Sequence, residues 1–111
     1  MTGYPPKPPT PQIVGAILKR AGLNRSQSSG VYNRTAGYSV RKSRTQPDAV
    51  EVRWWPDSRE DITPADSGAI AKRRTGWLQR YADAIHADPL YRGRLRAAIE
   101  DDKVTVYARS A

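Results

Sequence analysis

Residues 76–85 read GWLQRYADAI and form the bulkiest apolar cluster of the chain. Four of these residues recur at the spacing of one helical face: Trp77, Leu78, Tyr81 and Ile85. The pattern continues backward through Ile70, so we predict one long amphipathic helix that begins near Thr63 or at Ser67. We place its end near His86. The other apolar residues of the domain are expected to pack against this helix.

The composition limits the chain to one small domain. Leu, Ile and Val together supply only 18 of the 111 residues, and Phe is absent. So few aliphatic residues in a highly charged chain favour disorder, but three Trp and six Tyr add large apolar surfaces. We therefore expect a compact core of about 70–80 residues with loose ends.

The first eleven residues contain five of the nine prolines. Because Pro fixes φ and has no N–H to donate, residues 1–11 are predicted to form an extended polyproline II arm. A single domain over residues 12–109 is expected to follow. The sequence of residues 5–8, PPKP, also fits the PxxP pattern of proline-rich ligands, although such patterns are common in low-complexity tails.

A first helix is predicted to begin after Thr10, with Thr10 as its N-cap and Pro11 at its first position. Its apolar stripe consists of Ile13, Val14, Ile17, Leu18 and Ala21. We expect Gly22 to end the helix in the left-handed conformation, with Leu23 folding back onto Leu18. The polar residues 24–30 are predicted to be a loop. The alternative is a helix-turn-helix motif, whose spacing they fit poorly.

Two segments with a period of two follow, at residues 38–43 and 50–55. They are predicted to pair as an antiparallel hairpin, with a type I turn at residues 46–49. Alternation then places Trp54 on the core face and Trp55 on the opposite face.

The C-terminal part is predicted to form a short helix and a final strand. Tyr91, Leu95 and Ile99 recur every four residues and favour a helix that ends near Glu100. A strand is the alternative, because Gly93 weakens a helix. Residues 104–107 alternate as a strand.

The predicted fold class is therefore α+β, in the order helix, strand, strand, long helix, short helix, strand. A three-stranded, mainly antiparallel sheet would carry the helices on one face.

The sequence contains no pattern typical of an enzyme, a cofactor site or a metal site. There is one histidine, His86, which we interpret as a cation of the last helical turn or a surface residue. Acidic residues cluster within residues 57–61 and 100–102, but neither spacing matches a calcium loop. Without Cys, neither disulfides nor thiolate metal sites can form. We predict a non-enzymatic protein without cofactor or metal.

Membrane insertion and secretion are not expected either. No apolar run reaches the ~18 residues of a transmembrane helix, and the N-terminus lacks the features of a signal peptide. We therefore expect a cytoplasmic protein.

The net charge of +8 is distributed unevenly along the chain. Residues 1–50 carry eight Lys or Arg and one acid, whereas residues 51–111 carry eleven Lys or Arg and ten acids. This asymmetry predicts a basic face or arm for an anionic partner, most commonly a nucleic acid. The alternative is a basic surface that only keeps the protein soluble.

We predict a small basic binding protein with DNA as the favoured partner. The candidate phosphate contacts are Lys19, Arg20, Arg25, Arg34, Arg41, Lys42, Arg44 and Arg53. Trp55 could stack on a base, or it could be covered by a loop or by the proline-rich arm. The alternative function is a module that binds and modulates a host bacterial protein through Trp55 and the arm.

Several short motifs resemble those of a group of small bacterial and viral proteins. Residues 17–26 read ILKRAGLNRS, residues 37–40 read GYSV, residues 77–82 read WLQRYA and residues 104–106 read VTV. In this order they resemble short proteins of actinobacteria and their phages, which share a helix ending in an RAG-x-x-RS pattern and a later YAxAL-like helix. The similarity covers residues 12–108. It implies a phage or mobile-element accessory protein inside a bacterial cell and assigns no catalytic or binding residue.

Overall fold

A computed structural model of the chain describes residues 8–27, 35–56 and 67–109. Within these three stretches the protein has two helices and four strands. They are, in chain order, α1 (Pro11–Arg20), β1 (Gly37–Lys42), β2 (Val50–Trp55), α2 (Ser67–Ala87), β3 (Leu95–Glu100) and β4 (Lys103–Ala108). The strands form one antiparallel sheet in the order β1-β2-β4-β3, so β1 and β3 are its edges. The fold class is α+β, as predicted.

The signals at both ends of α1 are confirmed. The Thr10 hydroxyl accepts a hydrogen bond from the Ile13 N–H at 3.2 Å, and Pro11 occupies the first helical position. At the C-terminus Gly22 has φ +80°, and the Leu23 N–H donates to the Leu18 carbonyl at 3.1 Å. This Schellman motif turns the chain away from the helix axis toward β1.

The core lies on one face of the sheet, between the strands and the two helices. The predicted centre is confirmed, because Leu78, Tyr81 and Ile85 of α2 are almost fully buried. They pack in one cluster with Val14, Ile17 and Leu18 of α1 and with Val50, Val52, Trp54, Val104 and Val106 of the sheet. Trp77 and Ile13 lie partly buried at its margin.

The short helix up to Glu100 that the sequence favoured is wrong, and with it the three-stranded sheet, whereas the alternative of a strand is correct. The Asp88 carboxylate accepts hydrogen bonds from the N–H groups of Leu90 and Tyr91 and holds them in a tight turn. Gly93 has φ +78°, which a helix cannot contain. From Leu95 onward the chain pairs with β4 over six residues and forms the fourth strand.

The histidine at the end of α2 supports this extra strand. The Nε2 atom of His86 accepts a hydrogen bond from the Ala97 N–H of β3 at 3.0 Å. His86 is exposed in the last turn of α2, in agreement with the expectation of a surface residue, and its ring there accepts a hydrogen bond from the sheet.

The β1–β2 hairpin has the predicted pairing but a different turn. Val40 lies opposite Val52, and Tyr38 lies opposite Trp54. The Ala49 N–H donates to the Gln46 carbonyl at 3.3 Å, as in a four-residue turn. Asp48 has φ +63°, which excludes the predicted type I turn and matches the third position of a type II turn.

Candidate nucleic-acid interface

Three of the cations on the outer face of the sheet converge on one buried carboxylate. The Glu51 side chain is only 3% exposed. It receives Arg41 Nε at 3.1 Å and Lys103 Nζ at 3.2 Å, and Arg53 Nη2 lies 3.8 Å away. Burial alone would raise the pKa of Glu51, but the hydrogen bonds from Lys103 and Arg41 outweigh it and lower that pKa below its ordinary value. Glu51 is therefore an ionised centre that neutralises part of this face.

Arg53 is shared between two carboxylates. Its Nη1 atom donates to Asp102 Oδ2 at 3.0 Å, in addition to the approach of Nη2 to Glu51. Its Nε atom is buried and has no hydrogen-bond partner. The guanidinium is thus oriented toward acids of the same protein, which leaves little of its charge for a phosphate group.

Arg20, another predicted phosphate contact, joins two distant parts of the chain. Its Nε and Nη2 atoms donate to Asp88 Oδ1 at 3.1 and 2.9 Å, and Nη2 also reaches Oδ2 at 3.0 Å. Asp88 itself is buried. This fork-shaped contact fixes the C-terminus of α1 to the turn before β3, so Arg20 has a structural role in the domain.

Lys19 and Arg25 lie at a groove between α1 and the outer edge of β1. We call it the α1–β1 groove; its volume is about 690 Å³. Two classes of uncharged residue line it besides the cations. The apolar and small residues are Pro11, Gly15, Ala16, Leu23, Tyr38 and Val40, and the amide side chains are Gln12, Asn24 and Gln27. No carboxylate is among the described residues that line it.

One wall of the groove is a short segment that pairs with the edge of β1. Arg25 forms a parallel bridge with Tyr38, in which the Tyr38 N–H donates to the Asn24 carbonyl at 3.1 Å and the Ser26 N–H to the Tyr38 carbonyl at 2.8 Å. Gly37 permits this approach, since a Cβ atom there would lie 2.4 Å from the Asn24 oxygen. The described part of the predicted polar segment, residues 24–27, is therefore extended and not helical, which rules out a recognition helix there.

The side chain of Tyr38 closes the inner end of the groove. Burial raises the pKa of Tyr38, against the opposing effect of the nearby Arg25 charge. The hydroxyl thus keeps its proton at neutral pH and lies 3.3 Å from the Gly15 carbonyl, to which it donates. This bond connects β1 to α1 across the base of the groove.

The other predicted residues lie along β1, on the outer face, or outside the described residues. Lys42 ends β1, Arg44 lies in the following turn, and both are exposed. Trp55 lies half-buried on the outer face, and its Nε1 atom donates to Ser39 Oγ at 2.8 Å. Arg34 falls outside the described residues.

Four of the predicted contacts share one property. Among the described residues, no carboxylate pairs with Lys19, Arg25, Lys42 or Arg44, whereas Arg20, Arg41 and Arg53 are all paired. We refer to the four as the β1-side cations, since each lies on β1, in its turn, or in an element beside it. The sequence named all four but could not separate them from the paired cations, since Asp88 and Arg20 are 68 residues apart.

The sequence analysis did not identify the amide side chains of the groove or Lys103. Gln12, Asn24 and Gln27 belong to a helix and a loop and converge only in three dimensions. The position of Lys103 could have been predicted, because it lies two residues before Thr105 in the alternating segment and therefore on the same face of the strand.

In the comparison with known proteins, no protein-family model, curated protein or solved structure matches this chain. In the described stretches, no group of three or more His, Asp or Glu side chains could hold a metal ion. Neither α1 nor α2 is long and apolar enough to cross a membrane.

Proposed function

We propose that this protein is a small, non-enzymatic, nucleic-acid-binding protein with DNA as its ligand, and that the β1-side cations contact the phosphates. The resemblance to actinobacterial and phage proteins supports an accessory role for a phage or mobile element in the bacterial cytoplasm. The observation that carries the proposal is the absence of carboxylate partners at Lys19, Arg25, Lys42 and Arg44 within the described residues.

The difference between paired and unpaired cations is energetic. A cation near a polyanion gains free energy because the phosphate releases its condensed counterions. Arg20 and Arg53 would first have to leave carboxylates at 2.9 and 3.0 Å. The β1-side cations pair with no carboxylate of the described residues and have no such cost, so we favour the β1 side as the contact surface.

Fluorescence anisotropy with a labelled DNA duplex at several salt concentrations tests this proposal. The logarithm of affinity should fall linearly with the logarithm of salt, by about 0.9 per neutralised phosphate. The double variant K42A/R44A should weaken binding to every sequence and reduce the slope by about 2, because each lost phosphate contact removes about one unit.

A matched control removes the same charge from the opposite edge of the sheet. Arg92 and Arg96 are exposed, and neither pairs with a carboxylate of the described residues. Because Arg92 and Arg96 lie before and on β3, at the edge of the sheet opposite to β1, R92A/R96A should keep both the affinity and the slope. If both double variants lose the same affinity for DNA, the loss depends only on the net charge of the protein. If the wild-type protein binds DNA no better than a lysine-rich control protein of equal charge, the proposal fails and the host-protein alternative replaces it.

A further inference from the structure

We propose that the α1–β1 groove holds one nucleotide of a single-stranded nucleic acid, with its phosphate on Lys19 and Arg25 and its base inside the groove. This inference rests on the proposed function and specifies which form of nucleic acid the site prefers.

The size and lining of the groove match a nucleotide. Its volume of about 690 Å³ lies within the 300–1,000 Å³ that is typical of small-molecule sites. Leu23 and Val40 offer apolar surface to the face of a base. Gln12, Asn24 and Gln27 offer amide donors and acceptors to its edge.

The charges of the groove favour an anionic ligand. Lys19 and Arg25 contribute two positive charges, and none of the described lining residues is acidic. The outer face of the sheet is different, because Glu51 and Asp102 offset its cations. Among the described lining residues, a phosphodiester bound at the groove therefore meets no competing carboxylate.

Only a single strand can deliver a base into this groove. In a duplex the bases are stacked and paired inside, and extrusion of one base costs a few kcal/mol. Single strands expose their bases without this cost, so the groove should discriminate between the two forms.

The edge of β1 is already partly used, which argues against an added peptide strand as the occupant. Both the N–H and the C=O of Tyr38 are bonded to the segment that contains Asn24 and Ser26. Peptides that extend a sheet obtain their affinity from main-chain hydrogen bonds of this kind. At Tyr38 the edge of β1 is therefore not open to an added peptide strand.

Three probes test the inference: a thymidine oligonucleotide, the same oligonucleotide with abasic positions, and a duplex of equal length. Wild-type protein should bind the thymidine strand about tenfold more tightly than the abasic strand, since the contacts of one base are on the order of this size. Ala16→Leu fills the groove without changing charge, because Ala16 lines it and is exposed. This variant should lose the preference for the thymidine strand and retain its affinity for the duplex.

A second variant and a control guard against effects on folding. Gly15→Leu also fills the groove, and a Cβ atom at Gly15 meets nothing within 4 Å. Replacement of a glycine inside a helix should preserve or raise stability, so this variant should fold and lose the same preference. Ala71→Leu places the same side chain on the exposed face of α2 and should behave as wild type.

Each other outcome overturns the inference. If thymidine and abasic strands bind equally, or if both groove-filling variants keep the preference, no base enters the groove, while the DNA-binding proposal stands. If no nucleic acid binds, the proposed function fails as well. If a glutamate-rich peptide competes more strongly than the strand and Ala16→Leu abolishes its binding, the groove is a peptide site.

Discussion

Glu51 shows how one residue determines what the cations around it can do. Its carboxylate is buried under Arg41, Arg53 and Lys103, so it neutralises part of the charge of a basic patch. Removal of one member of such a cluster leaves the others without their partner, which is costly at a buried site.

We predict that Glu51→Gln lowers the free energy of unfolding at pH 7 by about 1–3 kcal/mol, the range for a hydrogen bond to a charged group. The pKa of Glu51 is lowered in the folded protein, so its stabilising effect is full above the ordinary value of 4.5 and declines as pH falls below it. The difference between wild type and variant should therefore narrow from pH 7 to pH 3. Urea unfolding at both pH values measures it.

The control for this prediction is Asp101→Asn. Asp101 is exposed and makes no ion pair with any described residue, and Asn tolerates its φ of +50°. The free energy of unfolding of Asp101→Asn should differ little from that of the wild type, and the difference should not depend on pH. If Glu51→Gln lowers the free energy of unfolding by the same amount at pH 7 and at pH 3, the charge of Glu51 does not have the stabilising role assigned to it.

Gly37 is the residue that allows a loop to lie against the edge of β1. A Cβ atom at this position would lie 2.4 Å from the Asn24 oxygen and 2.6 Å from the Ser26 nitrogen, so the backbone would have to move. We expect Gly37→Ala to lower stability by about 1–3 kcal/mol and to weaken binding of single strands, because one wall of the groove shifts. Thermal unfolding followed by circular dichroism measures the first effect.

Gly76 serves as the comparison, because its replacement by Ala is expected to raise stability instead of lowering it. Gly76 lies inside α2, and a Cβ atom there meets nothing within 4 Å. Gly76→Ala should therefore raise stability by roughly 0.5–1 kcal/mol. Similar effects of the two substitutions would show that the approach of Asn24 to β1 is not tight.

Among the elements, α2 contributes the largest share of the core. Leu78 is 1% exposed and packs between α1 and the sheet. We predict that Leu78→Ala costs about 2–5 kcal/mol, because the cavity left by Leu cannot close completely. The exposed Gln79→Ala is the matched control on the same helix and should change stability by less than about 0.5 kcal/mol. A melting temperature unchanged in Leu78→Ala would refute the core as described.

The elements differ in how far local sequence predicts them. Capping residues and apolar stripes are local signals, so α1, α2 and the β1–β2 pair were predictable. β3 was not, because Tyr91, Leu95 and Ile99 fit a helical spacing as well as the alternation of a strand. Pairing with β4 and the hydrogen bond from Ala97 to His86 decide between them, and both are tertiary.

The sequence named the candidate cations, but it could not predict which of them pair with acids or where they lie on the folded protein. Charge asymmetry pointed to the first half of the chain. The division into paired and unpaired cations depends on contacts such as Arg20 with Asp88 and Arg53 with Asp102, which no spacing rule contains. The α1–β1 groove likewise exists only once the helix lies beside the sheet edge.

In the whole molecule several cations outside the β1 side lie over aromatic rings. Arg73 and Arg74 lie over the Trp54 ring, at 5.4 and 6.0 Å from its centre, and Arg80 lies 4.8 Å from the centre of the Trp77 ring. These residues cover aromatic surface of the core. The four β1-side cations make no such contact among the described residues and all four are exposed, so together they should form a positive field on this side of the protein.

This distribution predicts that the β1 side and the groove affect different rate constants. Charge reversal in K42E/R44E should lower the association rate constant with a single strand, because steering by the field acts before contact. Ala16→Leu keeps every charge and should instead raise the dissociation rate constant, because it removes short-range contacts made only after docking. Stopped-flow fluorescence at low and moderate salt separates the two constants. R92E/R96E changes the net charge equally at the far edge of the sheet and should slow association far less. If K42E/R44E and R92E/R96E slow it equally, only the total charge steers the ligand, and the β1 side has no special role in binding.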